Sequence, residues 1–484
     1  MSHSERQAVA RMESGNNAVR NRLLAVLFVG VLMGALDIAI VGPALPAIQR
    51  HFGVEDRSLA WIYTIYVLCN LVGTPLWARL SDTFGRRAIY VLDVLLFALG
   101  SAMVALAPSF AIVLFGRAVQ GLGSGGIFPV ASAVIGDTFP AEKRGSALGL
   151  IGAVFGIAFI IGPVIGGVLL LVGWQWLFVI NLPVAMGIIV GGWSLLPTAR
   201  PTQRGNFDTV GMAILAILLV SLAYGINRLD TTAIGESLQS SNVWPYLLIA
   251  LALLPVFVWI EQRTPEPVLR PGLYRARQMQ LVVILATGAG LIEAGIAFIP
   301  QLAVAAYHVT ASTASFMLLP LVVGVAVGSP VVGRLLDRYG SRNVVLGGTV
   351  LMSVGMLGLA LWGAQQMPFF YMSTTLTGFG IASLIGAPLR YIVLGEARPE
   401  ERAAAQGSVN LFIGAGQMAG GAAIGAIAGS LGGGVHGYAT AYLIAGMLSA
   451  CLIPVSLGLK TRAQELQARQ RGEPFAGQPV RPGD

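Results

Sequence analysis

Charge is what this sequence has least of. Only 11% of its 484 residues are Asp, Glu, Lys or Arg, where an ordinary soluble domain carries roughly a quarter. A chain of this size with so few charges has no surface to show water, which excludes a soluble enzyme and a disordered chain. Lysine is nearly missing: of 30 cationic residues only Lys143 and Lys460 are not arginine. Cysteine is limited to Cys69 and Cys451, each inside an apolar run, so a disulfide framework is excluded. The four histidines, His3, His51, His308 and His436, fall in predicted tails or loops, so histidine is not expected to carry protons inside a membrane. No Walker A, H-E-x-x-H or G-x-S-x-G pattern occurs, which leaves ATP-driven pumping and intramembrane proteolysis without support. A formal G-x-G-x-x-G at Gly121-Leu-Gly123-Ser-Gly125-Gly126 lies inside an apolar run with no strand before it, so it does not read as a dinucleotide site.

What is present is apolar. Hydrophobic residues make up 55% of the chain, mean hydropathy is +0.76, and there are 62 Gly and 25 Pro, both commoner in spanning helices than in soluble ones. The expected class is an all-α polytopic membrane protein. Runs of about 20 apolar residues begin near Leu23, Leu59, Ala88, Phe110, Gly145, Leu177, Thr209, Trp244, Gln280, Ala314, Asn343, Met367, Ala403 and Tyr438. That predicts fourteen spans. With the N-terminus inside, 25 of the 30 cations fall on the cytoplasmic side, Arg50, Arg57 and Arg228 outside, and Arg117 and Arg390 within runs. This is the asymmetry of the positive-inside rule, and it places both tails in the cytoplasm. The first run is full length and contains Asp37, so it reads as a retained span and not a cleaved signal peptide.

The chain repeats itself. Ala78-Arg-Leu-Ser-Asp82-Thr-Phe-Gly85-Arg86-Arg87 recurs as Gly333-Arg-Leu-Leu-Asp337-Arg338-Tyr-Gly340-Ser-Arg342, 255 residues later. Glu142-Lys-Arg144 recurs as Glu400-Glu-Arg402, Gly121-Leu-Gly123 as Gly378-Phe-Gly380, and Asp37 is matched by Glu293, at offsets of 258, 257 and 256. Two homologous six-helix halves are therefore expected, with a surplus helix pair between them. The boundaries are a tail at 1–21, a first half at 22–200, the inserted pair and its linkers at 201–277, a second half at 278–460, and a tail at 461–484. Such halves imply a mid-membrane cavity at their interface, opened alternately to each side.

An ionisable residue inside hydrocarbon costs roughly 2.5 to 3.5 kcal/mol on insertion scales and is a functional hypothesis by default. Counting about 1.5 Å per residue, Asp37, Glu293 and Arg117 all lie about 20 Å from the inner face. A buried carboxyl favours its neutral form, and a nearby guanidinium favours the ionised one. Asp37 and Glu293 are the candidate proton carriers, with Arg117 tuning Asp37. A fixed Asp37–Arg117 pair that only orders helices is the alternative. Asp93 and Arg390, near span ends, are expected to snorkel or to pair with cytoplasmic charges. Asp82, Gly85, Arg86, Arg87 and Arg144, with Asp337, Arg338, Arg342 and Arg402, could form breakable charge pairs that latch the inner side. Gly149, Gly162, Pro163 and Gly166 mark a close-packing, kinked fifth span. Candidate cavity residues are Tyr63, Tyr66, Asn70, Gln120, Phe155, Phe159, Gln301, Asn410 and Gln417.

These residues resemble a known group. Leu80-x-Asp82-x-x-Gly85-Arg86-Arg87 is similar to the signature loop of the major facilitator superfamily. Arg117-x-x-Gln120-Gly121-x-Gly123 resembles its fourth-helix motif, and Gly149 to Gly162-Pro163-x-x-Gly166 its antiporter motif. Leu36-Asp37-x-x-Ile40-Val41 and Trp174-x-Trp176-x-Phe178-x-Ile180-Asn181-x-Pro183 resemble the 14-spanner drug:proton antiporter branch. Ala78 and Ala158 stand where these motifs often have Gly, and the tenth span carries no acid. The resemblance implies a proton-coupled exporter of amphipathic or lipophilic compounds, working by alternating access in the plasma or inner membrane. Its partners would be a small substrate, protons and membrane lipid, with no cofactor, metal or nucleic acid, and a monomer would suffice. A lipid or glycolipid exporter on the same fold, a proton-symport importer and a non-transporting sensor are the rival readings.

Overall fold

The structure, a computed structural model, describes residues 3–139, 141–198, 208–264, 267, 269, 271–397 and 402–470. Side chains are described for these except at 3–18, 141–146, 148–149, 151–153, 155–156, 159–160, 402–404 and 468–470. Arg144, Gly149, Phe155, Phe159 and Arg402 therefore lie outside the described side chains. Among the described residues the chain is helical, with no strand. Backbone polar groups in hydrocarbon can be satisfied only within helices or closed barrels, and this sequence, with apolar runs far longer than a strand, takes the first solution.

The long helices are α1 (His3–Phe52), α2 (Trp61–Phe84), α3 (Arg86–Ala105), α4 (Phe110–Thr138), α5 (Ala141–Leu170), α6 (Asn181–Leu195), α7 (Thr209–Arg228), α8 (Trp244–Glu261), α9 (Arg277–Glu293), α10 (Leu319–Gly358), α11 (Met367–Leu384), α12 (Ala387–Glu396), α13 (Arg402–Ser430) and α14 (Gly434–Leu457). A final short helix, α15, runs over Arg462–Gln470. Twelve helical segments among the described residues are long and apolar enough to cross a membrane. The longest, Ala311–Gly363, is broken at Gly340, whose φ of 79° and ψ of 171° are not helical.

That break is the backbone form of the sequence repeat. Gly85, between α2 and α3, has φ 97° and ψ 145°, and Gly340 stands 255 residues later in the same conformation. Only glycine takes positive φ without a Cβ clash, so both copies of the motif use glycine to reverse the chain.

The chain forms two compact units. One contains the described residues within Met1–Ile40, Cys69–Gly162 and Val172–Phe207; the other those within Val41–Leu68, Pro163–Leu171 and Asp208–Asp484. In the first unit α3 and α4 meet backbone to backbone. A Cβ on Gly100 would come within 2.6 Å of the Gly116 carbonyl, and one on Gly123 within 2.6 Å of the Asp93 carbonyl. Tyr90, Val94, Phe97, Val104, Val113 and Val130 are wholly buried around this contact. The sequence supplies glycine where the axes cross and β-branched or aromatic residues beside it, the usual way spanning helices approach closely.

The second unit uses the same device between α9 and α13. A Cβ on Gly290 would overlap the Ile413 carbonyl, and one on Gly416 or Gly420 would overlap the carbonyl of Thr287 or Leu291. Helices α7 and α8 pack through Gly225 against Leu247, with the Tyr224 and Tyr246 rings 4.4 Å apart. Their attachment to the rest of the second unit is polar. Asn227 of α7 accepts from Trp61 Nε1 at 2.9 Å and donates to the Arg57 carbonyl at 3.2 Å. The Arg57 guanidinium donates to the carbonyls of Arg228 and Leu229 at 3.3 and 3.1 Å and to the Ser430 hydroxyl at 3.1 Å. Beside it, Asp56 accepts from Gln49 at 3.1 Å and from the Tyr438 hydroxyl at 2.5 Å.

Gly85→Ala and Gly340→Ala are each expected to destabilise the protein by about 1–2 kcal/mol, because a Cβ is forced into a left-handed conformation. Gly187→Ala, a helical position with open space beside it, should leave stability equal or raise it by up to about 1 kcal/mol. Thermal unfolding of the purified protein in one detergent distinguishes the three.

Candidate functional site: a buried acid–guanidinium network

Asp37, on α1, is wholly buried in the first unit, and so are Arg117 and Gln120 of α4 and Ser101 of α3. Arg117 Nη1 donates to Asp37 Oδ2 at 2.5 Å and to Gln120 Oε1 at 2.7 Å. Gln120 Nε2 donates to Asp37 Oδ1 at 2.6 Å and to the Ser101 hydroxyl at 2.8 Å. Asn181, the first residue of α6, donates to Asp37 Oδ1 at 3.3 Å and to the same hydroxyl at 3.2 Å. The Phe178 ring stands 5.9 Å from the guanidinium carbon. Four helices thus converge on one carboxylate, and the glycine contact of α3 with α4 is what sets Ser101 beside Gln120.

An ionised Asp37 has a countercharge in Arg117 and two amide donors in Gln120 and Asn181, and the Arg117 guanidinium is also bonded to the Gln120 carbonyl.

Glu293 lies in the second unit in a different setting. It is the last residue of α9, where the helix tightens into a 3-10 turn over Ala294–Phe298. It is 8% exposed and accepts from Gln417 Nε2 at 2.8 Å. The α9–α13 glycine contact brings these two side chains together. Tyr63, itself buried, packs its ring 6.2 Å from Phe298, which stacks 6.4 Å from Tyr438.

The remaining candidate residues divide. Tyr66 is buried in the second unit. Asn70 donates to Ser124 at 3.2 Å, Gln301 donates to Gln49 at 3.1 Å, and Asn410 accepts from Arg390 at 3.2 Å. Gln120, assigned by sequence to the cavity, sits in the Asp37 network. In the first loop motif Arg86 pairs with Asp82 and, at 3.1 Å, with Asp137 at the far end of α4. Arg87 donates to the Leu196 carbonyl at 2.9 Å. In the second copy the Asp337 carbonyl accepts from Arg462 of α15 at 2.7 Å, the Arg338 guanidinium lies 5.3 Å from the Tyr339 ring, and Arg342 heads the segment after the Gly340 break. Gly162 lies against Ala39, where a Cβ would stand 2.6 Å from the alanine methyl. The Pro163 carbonyl accepts from Ser315 at 2.7 Å, and a Cβ on Gly166 would stand 3.1 Å from that same hydroxyl. Cys69 and Cys451 are free thiols. No cluster of His, Cys, Asp and Glu among the described residues could hold a metal ion.

Asp93 corrects the sequence reading. It does not snorkel or pair: it is wholly buried, and neither carboxyl oxygen has a hydrogen-bond partner among the described residues. Distance from the end of the span was the wrong guide, because the side chain turns toward α4. Sequence reasoning also missed Ser101 and Asn181 as network members. Asn181 was visible as an amide between Ile180 and Leu182 in an otherwise apolar run.

The described residues form a helical, multi-pass membrane protein with acids buried at helix crossings. The chain belongs to the Major Facilitator Superfamily, whose sequence profile matches residues 27–277 and 279–483. It is 33% identical over 394 residues to the uncharacterized MFS-type transporter YfiU of Bacillus subtilis, covering 80% of this chain and 76% of that one. It is 30% identical over 344 residues to multidrug resistance protein 3 of the same organism, covering 69% of this chain and 65% of the relative. Among solved structures it resembles the nucleoside transporter NupG (TM-score 0.65, 13% identity, 91% of this chain and 99% of that one). It also resembles the xylose transporter XylE from E. coli (TM-score 0.62, 13% identity, 91% of this chain and 98% of that one). These relatives are transporters and not enzymes.

A double-mutant cycle measures the network. Arg117→Gln alone, leaving a buried carboxylate without its cation, should cost about 3–5 kcal/mol. In an Asp37→Asn background the same change should cost at least about 2 kcal/mol less, because no charge is left uncompensated. Equal costs in both backgrounds, read by thermal unfolding, would show that the two side chains are not coupled.

Proposed function

We propose that this transporter is a proton-coupled exporter of small amphipathic or lipophilic compounds, of the 14-spanner drug:proton antiporter branch. The observation that carries the reading is the Asp37 network, a carboxylate in hydrocarbon whose guanidinium partner has a second acceptor ready in Gln120. Loading a proton on Asp37 removes the countercharge of Arg117, and the retained bond to Gln120 lowers the cost of that step. Glu293 is the second carrier, held by a neutral amide and, among the described residues, by no cation at hydrogen-bond distance. The names of relatives such as multidrug resistance protein 3 support a drug-like substrate. The fourteen-span count is supported by dividing Ala311–Gly363 at Gly340 and adding α5. Both tails would then lie on one side, and the arginine distribution supports a cytoplasmic placement of that side, with the protein in the plasma membrane.

Transport would proceed by alternating access. Protons entering down their gradient load the carboxyls, substrate leaves in exchange, and the electrical part of the gradient contributes about 2.3 kcal/mol per charge per 100 mV. In proteoliposomes containing a pH dye, substrate addition should move protons opposite to substrate, and the Asp37→Asn, Glu293→Gln double variant should abolish that coupling. Undiminished coupled transport by the double variant would remove both proposed carriers. Lipid flux with no drug transport would move the substrate class to lipids.

A further inference from the structure

Tyr90 and Asp93 are buried polar side chains of α3 that the Asp37 network does not use. Both are wholly buried, and neither the Tyr90 hydroxyl nor either Asp93 carboxyl oxygen has a hydrogen-bond partner among the described residues. Each is seated in a glycine notch. A Cβ on Gly126 of α4 would overlap the Asp93 carboxyl, and one on Gly30 of α1 would overlap the Tyr90 hydroxyl. With Phe97 and Ser101 they form one line at positions 90, 93, 97 and 101, the i, i+3, i+7, i+11 spacing of a single helix face, and all four are wholly buried. Ser101 belongs to the Asp37 network. It lies eight residues from Asp93, about 12 Å along the axis.

An aspartate kept for structure is normally hydrogen-bonded or ion-paired, and an uncompensated carboxylate in an apolar interior is strongly disfavoured. The charged groups of the surrounding helices are elsewhere. On α4, Arg117 and Asp137 are nine and eleven residues from Gly126, roughly 13 and 16 Å. On α1, Asp37 is seven residues from Gly30, and Arg20 and Arg22 are ten and eight residues away. On α3 itself, Arg86 is engaged by Asp82 and Asp137 and Arg87 by the Leu196 carbonyl. The α6 helix and the short turn before it, Trp176–Val179, carry no ionisable side chain. A group with neither a countercharge nor a hydrogen bond among the described residues, on the same helix face as a member of the Asp37 network, suits a role in which it holds a proton and passes it on.

We infer that Asp93 is a further proton-carrying residue of this transporter, resident as the neutral acid, which passes protons between the Asp37 network and the Arg86 end of α3. The inference rests on the proton-coupled reading of Asp37. In transit the O–H bond of Asp93 breaks first and its proton leaves to water at the Arg86 end; the O–H bond of protonated Asp37 then breaks, and its proton crosses through water to re-form the O–H bond of Asp93, leaving Asp37 ionised. Phe97 stands between Asp93 and Ser101 on this face of α3, so transfer waits on its displacement.

Two measurements test this. In infrared spectra of the purified protein at neutral pH, the wild type should show a protonated-carboxyl band that Asp93→Asn removes; no loss of such a band overturns the inference. In proteoliposomes with ethidium as the transported probe, Asp93→Asn should slow transport driven by an imposed pH gradient at least tenfold, while ethidium exchange without a gradient stays within twofold. Both rates falling together would show a structural role, and neither falling would show a bystander; either result overturns the inference. Asp37→Asn is run in parallel. If it leaves gradient-driven transport intact, the reading of Asp37 fails, and the relay with it. If it abolishes that transport and Asp93→Asn does not slow it, only the relay is wrong.

Discussion

A carboxylate and a guanidinium shut away from water must be kept together, and the first unit is built around that requirement. Separating Asp37 from Arg117 would leave two uncompensated charges in an apolar interior, each costing several kcal/mol. Helices α1, α3, α4 and α6 are therefore fixed with respect to one another at a single point. The glycines of α3 and α4 allow the approach, Ser101 and Asn181 complete the hydrogen bonding, and Phe178 covers the cation. Packing and polarity serve the same contact: without glycine at positions 100, 116 and 123 the polar side chains could not meet.

The two acids of the repeat, 256 residues apart, have diverged in their surroundings. Asp37 has a cation and two amide donors, whereas Glu293 has one amide and an adjoining aromatic column of Tyr63, Phe298 and Tyr438. Placing two titratable groups in environments this different is how a single protein gives them different tasks. The reversal glycines, Gly85 and Gly340, have not diverged at all, because no other residue takes their backbone conformation without strain.

Much of this could be read from residues alone. The helical class follows from the scarcity of charge and the length of the apolar runs, and the loop repeat reappears as two glycines with positive φ. The Asp37–Arg117 pair was legible because acids and bases inside hydrocarbon are few and their depths can be counted. Gln120 was legible as a polar group in α4 but not as a bridge, since that depends on which way its amide turns. Asp93 was misread because depth along a helix says nothing about direction around it. Asn181 and Ser101 went unassigned because neutral polar residues are common in spanning helices, and only the packing shows which ones meet an acid. The attachment of α7 through Asn227 to Arg57 and Trp61 joins residues about 170 apart, with no pattern in the sequence to announce it.

The central claim is that Asp37 changes its proton content when substrate binds. The direct test is to add substrate to detergent-solubilised protein in weakly buffered solution and follow the pH. The account predicts proton release by the wild type that is reduced by Asp37→Asn and lost when Glu293→Gln is added. Release of the same size from the variant lacking both carboxyls would contradict it.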